Sequence, residues 1–336
     1  MTLQPLATTT VGSFPRPLWL ADTQRSQAHY KLSGEALSQA MDDATVLVLR
    51  QQEQLGLDIA TDGEMRRQSF IFHVVGNWLG VDTRQLGRTT RYRNRDVDRM
   101  VPRIAGRIVH QAGTTSDEIR FAKRNTTLPL KVAVPGPMTV VDSTVNDFYK
   151  DEAEQAMDIA AALNQELLEM QAAGCDVLQI DEPAMTRYHD KVKFHGVKAL
   201  DRCLEGIHIP AIVHLCYGYP GGVSLQHQYG YDRLLPLLMQ SAISGFTVEF
   251  GRSTFDPGML RDCTGRFIMF GCIDPGDSPA PSVRSVVDRI EQALKVVDPA
   301  RMWLAPDCGL MTITRDLAYE KLRVMVEASK TIRARL

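Results

Sequence analysis

Eight short apolar runs, each set off by a longer amphipathic stretch, recur along this chain, and that alternation limits the fold more than any other feature. The runs cover residues 8–12, 57–61, 128–134, 176–180, 211–215, 245–250, 267–271 and 302–305. Helix-like stretches lie between them at 35–55, 151–173, 231–241, 282–297 and 315–329. Strands that alternate with helices form a parallel sheet, because each crossover must return the chain to the same end. Eight such strands suffice to close a (β/α)8 TIM barrel, the fold class expected here. An open, doubly wound sheet is the rival. It needs no eighth strand and usually carries a Gly-rich phosphate fingerprint, yet neither GxGxxG nor GxxxxGK[ST] follows any run. A length of 336 residues, 44% of them apolar, suits one barrel with an insertion. No linker divides the sequence, so residues 1–336 are expected to form a single domain.

The insertion is the segment 83–126, which breaks the alternation and carries eight arginines between Arg84 and Arg107. One reading is a solvated β-hairpin excursion between barrel strands. The other is a lid, or a basic surface for an acidic substrate tail or a partner protein, since clustered Arg suits phosphate and carboxylate groups. Elsewhere charge is balanced: the net value of −2 provides no global basic field for nucleic acid. The N-terminal MTLQPLATTTVGSF lacks a basic region followed by an apolar stretch, and no run of apolar residues is long enough to span a bilayer. Six cysteines are sparse for this length and fit reduced thiols or metal ligands. A cytoplasmic protein without membrane or nucleic-acid partners is therefore expected.

Four residues at the ends of three runs form a candidate metal set: His214 and Cys216 in VHLCYG, Glu249 in TVEFGR and Cys308 in APDCGL. His214 and Cys216, two apart on a strand, point to one face, and in a barrel strand one face is the interior. Singly, each cysteine could be an inert buried thiol and His214 a satisfied core histidine. A carboxylate placed like Glu249 is costly to bury unpaired. Together the four make a tetrahedral zinc set. A structural zinc more often uses clustered CxxC pairs, so a mixed set drawn from three strands suggests a metal that works on a sulfur.

Three turns at run ends add polar groups. IDEPA places Asp181 and Glu182 after the fourth run, where adjacent carboxylates can recognise a cation or an amine, or can cap the next helix. DGE places Asp62 and Glu64 after the second run. VGSFPRP follows the first; Gly12 there allows close backbone approach, and the N–H groups of Gly12 and Ser13 could hold a carboxylate or could simply form a turn. PGP at 135–137 reads as a rigid turn either way.

In this order, VGSFPRP, DGE, PGP, IDEPA, HxC, the isolated Glu and PDCGL resemble the catalytic C-terminal half of cobalamin-independent methionine synthase, from about residue 10 to about residue 327. The resemblance implies a (β/α)8 barrel, a catalytic Zn2+ on His214, Cys216, Glu249 and Cys308, and homocysteine as the acceptor thiol. It also implies that Glu64, Asp181 and the backbone at Gly12 and Ser13 hold the amino-acid end. Zinc would deprotonate the thiol, which then takes the methyl group by in-line displacement, with Glu249 as the labile ligand. The donor side matches less well. The family's folate-stacking aromatic, expected shortly after PGP, has no counterpart in MTVVDSTVND, nor has its assisting histidine in GCIDPGDSP. The chain thus resembles a short, core-type member. Methyltetrahydrofolate, a methylated corrinoid (free or on a carrier protein) and a small methyl compound are the candidate donors, with the corrinoid preferred. Transfer to another thiol, as in epoxide opening by coenzyme M, is the alternative activity; a uroporphyrinogen decarboxylase-like barrel and a metal-sensing scaffold are alternatives from other classes.

Overall fold

The computed structural model describes residues 3–22, 28–92, 95–113, 115–217 and 230–336. Its strands in chain order are β1 (Ala7–Thr8), β2 (Leu79–Tyr92), β3 (Arg95–Val109), β4 (Lys131–Pro135), β5 (Val145–Asn146), β6 (Val177–Asp181), β7 (Ala211–His214), β8 (Gly245–Glu249), β9 (Phe267–Ile273) and β10 (Met302–Pro306). Seven of them form one parallel curled sheet in the order β1-β10-β9-β8-β7-β6-β4. The gap between β4 and β1 is filled by residues 57–61. Ala60 bridges in parallel to Leu130, and the Asp58 and Ile59 N–H groups both donate to Thr8 O. The eight expected runs are therefore the eight staves of the barrel.

Two staves are shorter than their apolar runs predict, because side chains take over their backbone groups. Asp58 Oδ2 accepts from both the Thr8 N–H, at 2.7 Å, and the Thr8 hydroxyl, at 2.8 Å. The Gln52 amide, on the preceding helix Gly34–Leu55, donates to Thr61 O at 2.7 Å and accepts from the Thr61 N–H at 3.0 Å. The groups are satisfied without a ladder, as buried backbone must be.

The helices sit outside the staves, and their ends are set by capping. Asp151 accepts from Ala153 N–H to start Glu152–Ala172, and Thr314 accepts from Leu317 N–H to start Arg315–Arg333. Inside the barrel, Ala7, Ile59, Val177, Ile212, Met269 and Trp303 fill the lower layer. The larger core lies between staves and helices and includes Leu49, Leu163, Phe246 and Leu322. Among the described residues no helix is long and apolar enough to cross a membrane.

The Arg-rich segment is a hairpin: β2 and β3 pair antiparallel, β5 adds a short parallel edge, and the helix Ser116–Arg124 follows. Three of its arginines are paired, Arg88 with Asp98 at 2.6 Å, Arg103 with Asp82 and Asp147, and Arg107 with Asp158 at 3.1 Å. That pairing accords with the solvated excursion and leaves less basic charge for docking than the composition suggests.

Candidate active site at the barrel mouth

Every candidate residue lies at or just beyond the C-terminal end of a stave, the rim where barrel loops gather functional groups. Asp181, His214 and Glu249 are the last residues of β6, β7 and β8; Cys216 and Cys308 stand two residues beyond β7 and β10. The parallel registers align Asp181 with His214 and His214 with Thr247 across neighbouring strands. The structure thus brings to one end of the barrel groups that are far apart in sequence.

The ligand atoms of His214, Cys216 and Cys308 all lie within 4.8 Å of one another. Glu249 falls outside that close group but beside it: its Oε1 accepts the N–H of Tyr217, the residue after Cys216, at 3.3 Å. The His214 Nδ1 meets Thr247 Oγ1 at 2.5 Å, and the same hydroxyl accepts the Leu215 N–H. That contact turns Nε2 toward the thiols, as the outer partner of a metal-binding histidine does. His214 Nε2 and Glu249 Oε2 are both buried without a hydrogen-bond partner. Two such atoms in one place are costly unless something completes them. One imidazole nitrogen, two sulfurs and a carboxylate oxygen suit a borderline-soft divalent ion, so the residues fit a metal.

Electrostatics without an ion point the same way. The hydrogen bond to Cys216, together with burial, holds the Cys308 thiol well above its ordinary pKa. Burial, with the charges of Cys216 and Asp307 adding, raises the Glu249 carboxyl well above the usual range. Negative charge crowded in a dry site keeps its protons until a cation takes their place.

A second cluster adjoins the first. Gly12 packs so closely on Glu64 that a Cβ at position 12 would sit 2.6 Å from Glu64 Oε1. Glu64 itself holds φ at 57°, a left-handed conformation that costs a non-glycine residue about 1–3 kcal/mol. Arg16 pins this turn by donating to Glu64 O and Arg67 O, and Asp62 Oδ1 accepts the Glu64 N–H. Burial, reinforced by Asp62 and Asp181, pushes the Glu64 carboxyl up to about 7. Ser13 O accepts the Leu310 N–H, and a Cβ on Gly309 would collide with Ser13 Oγ, so Ser13 is packed against the loop that carries Cys308. Changing Gly12 to alanine should displace the Glu64 carboxylate and cost about 1–3 kcal/mol of stability by overpacking. Chemical denaturation reads this directly, and an unchanged midpoint would contradict the contact.

The two carboxylates of IDEPA separate. Asp181 belongs to the mouth, raised by burial and lowered in part by the charge of His214. Glu182 instead accepts the Met138 and Thr139 N–H groups, both at 2.9 Å, and caps the helix Pro137–Asp142. Glu182 thus caps a helix as the alternative reading had it, but an earlier one, after β4, rather than the next helix in the chain. Three supporting residues escaped the sequence reading. Thr247 orients His214. Asp307 accepts from Gly251 and Arg252 N–H and ties down the loop after Glu249. The Tyr231 hydroxyl accepts the Glu249 N–H and donates to Leu215 O.

Residues 6–331 match the model of the catalytic domain of the cobalamin-independent synthases. The chain is 32% identical to the methionine synthase of Sulfurisphaera tokodaii, over 98% of this chain and 94% of that protein. The chain belongs to the cobalamin-independent methionine synthase family. Its members are methyltransferases. The methionine synthase of Sulfolobus acidocaldarius is 30% identical, over 98% and 93% of the two chains. A B12-independent methionine synthase from Shewanella sp. W3-18-1, solved in complex with selenomethionine, superposes with a TM-score of 0.93 at 32% identity, over 99% of each chain. A methyltransferase from Methanosarcina mazei shares the fold at a TM-score of 0.64 and 13% identity. The matches cover 94% and 93% of those two relatives' own length.

Proposed function

We propose that this chain, acting through residues 1–336 as one catalytic barrel, makes methionine by placing a methyl group on the sulfur of homocysteine, with a zinc ion held by His214, Cys216, Glu249 and Cys308. The observation that carries this reading is the convergence of an imidazole and two thiols within 4.8 Å beside buried carboxylates, on a chain of this family. Bound zinc supplies the Lewis acidity that lets a thiol lose its proton at neutral pH.

The chain's own residues do the rest. Glu64 and Asp181 receive the substrate ammonium, and the substrate carboxylate meets the backbone at Gly12 and Ser13. Both ends of the amino acid are then fixed while its sulfur points toward Cys216 and Cys308, which turns a bimolecular encounter into a positioned displacement. Were zinc bound there, Glu249 would be the ligand best able to give way, because a carboxylate oxygen binds zinc more loosely than a thiolate. Buried carboxylates attract an ammonium and repel a sulfonate, which favours homocysteine over coenzyme M. The selenomethionine held by the Shewanella relative is the selenium form of the expected product.

The donor assigned to this reading is a methylated corrinoid, free or delivered by a carrier protein. The helix that begins at the last residue of PGP, capped by Glu182, carries no aromatic residue that could be a platform for a pterin ring, and its Met138, Thr139 and Val140 are buried. Stacking on such a ring contributes on the order of 1 kcal/mol beyond area burial. The test is methionine formation from homocysteine with methylcobalamin and methyltetrahydrofolate supplied separately to the purified protein. Methylcobalamin should support turnover. Turnover with methyltetrahydrofolate alone would overturn the donor assignment, and no methionine from any donor would overturn the acceptor as well.

A further inference from the structure

Lys131, the first residue of β4, is a charged side chain with no place in the chemistry above, yet it is fully buried inside the barrel. Its register partner on β6 is Val177, which belongs with Ala7, Ile59 and Ile212 to an apolar cluster. An ammonium in such a place is costly unless every proton finds work. Its Nζ donates to Val11 O at 2.7 Å and to Gln179 Oε1 at 2.5 Å. The second bond decides which way round the Gln179 amide sits. With Oε1 turned to the ammonium, Nε2 faces upward and donates to Asp181 Oδ1 at 2.8 Å. Val11 directly precedes Gly12. One ammonium therefore ties the strand end bearing Gly12 and Ser13 to the carboxylate of Asp181.

We propose that Lys131 is a positioning residue for the amino-acid end of the substrate: acting through Gln179 it fixes the Asp181 carboxylate, and as a buried cation it offsets the negative charge gathered by Asp62, Glu64 and Asp181. This rests on the assignment of Asp181 to the substrate amine. Burial lowers the Lys131 pKa to about 8, and the charges of Asp181 and Glu64 oppose that fall, so the ammonium and the carboxylates sustain one another. A purely structural bolt would serve every ligand of the mouth alike. A device acting through Asp181 serves only ligands that carry an amine.

That difference sets the experiment. Homocysteine and its desamino analogue 4-mercaptobutanoate are titrated calorimetrically into wild-type protein and into Lys131→Met and Gln179→Leu variants. Gln179→Leu keeps the ammonium and cuts the relay, and it decides the matter should Lys131→Met fail to fold. Gln179→Leu should weaken homocysteine binding about tenfold or more while leaving the analogue within about threefold of wild type, and Lys131→Met should weaken homocysteine by the larger factor of the two thiols. Equal weakening of both thiols, or no weakening of homocysteine in folded Gln179→Leu, overturns the role of Lys131 alone. Failure of the wild-type protein to bind homocysteine removes the substrate reading, and this inference with it.

Discussion

Cys308→Ala protein should fold, emerge from purification without its metal, and transfer methyl groups at least about a hundredfold more slowly than wild type. Loss of an outer-sphere partner alone costs 10–100-fold in metal affinity or activity, and loss of a thiolate ligand should exceed that. Folding should survive because Cys308 sits in the loop after β10 and is only half-buried, so truncation opens little cavity. Cys216→Ala should behave alike, since the two sulfurs share one close group with His214. Elemental analysis beside circular dichroism makes the check. Full metal occupancy in both folded variants would sink the ligand assignment.

Asp181→Asn should do the opposite: keep the metal and lose the substrate. The asparagine side chain can still accept from Gln179 Nε2, so the local packing is preserved while the negative charge is removed. A charge-assisted hydrogen bond contributes about 1.5–3 kcal/mol, which corresponds to roughly ten- to over a hundred-fold in homocysteine affinity. Glu64→Gln should weaken binding in the same sense. Calorimetric titration separates the outcomes. Unchanged affinity in both variants would remove the amine clamp and reopen the identity of the acceptor thiol. Metal loss in Asp181→Asn would instead move that residue into the metal set.

The parts of this account that the sequence makes legible share one property: they are written within a single segment. Each apolar run is bounded by polar or turn-forming residues, so eight staves can be counted, and their rim residues follow from where the runs stop. His214 and Cys216 are legible as a pair at the end of one run, although Cys216 stands past the end of β7, so the loop rather than strand alternation brings its sulfur to the imidazole. What stays hidden depends on register between strands. Nothing near position 247 says that Thr247 will stand opposite His214; that follows from the pairing of β7 with β8. Asp181 and Glu182 look equivalent as neighbours, yet β6 ends at Asp181 and the N–H groups of Met138 and Thr139, more than 40 positions earlier, draw Glu182 to a helix end. Lys131 left a signal of its own, a lone cation in the apolar run LPLKVAV, two residues before Ala133, which packs near Gly12. The shortness of β1 had no such signal, because Asp58, which takes over the Thr8 N–H, lies 50 positions along the chain.

X-ray absorption at the zinc edge, recorded on purified protein before and after homocysteine is added, tests the central claim most directly. A zinc ion on His214, Cys216, Glu249 and Cys308 that receives the substrate sulfur should show about two sulfur neighbours alone and about three with homocysteine, with an oxygen or nitrogen neighbour lost. Protein that holds no zinc, or zinc whose sulfur count does not rise when homocysteine binds, would contradict it.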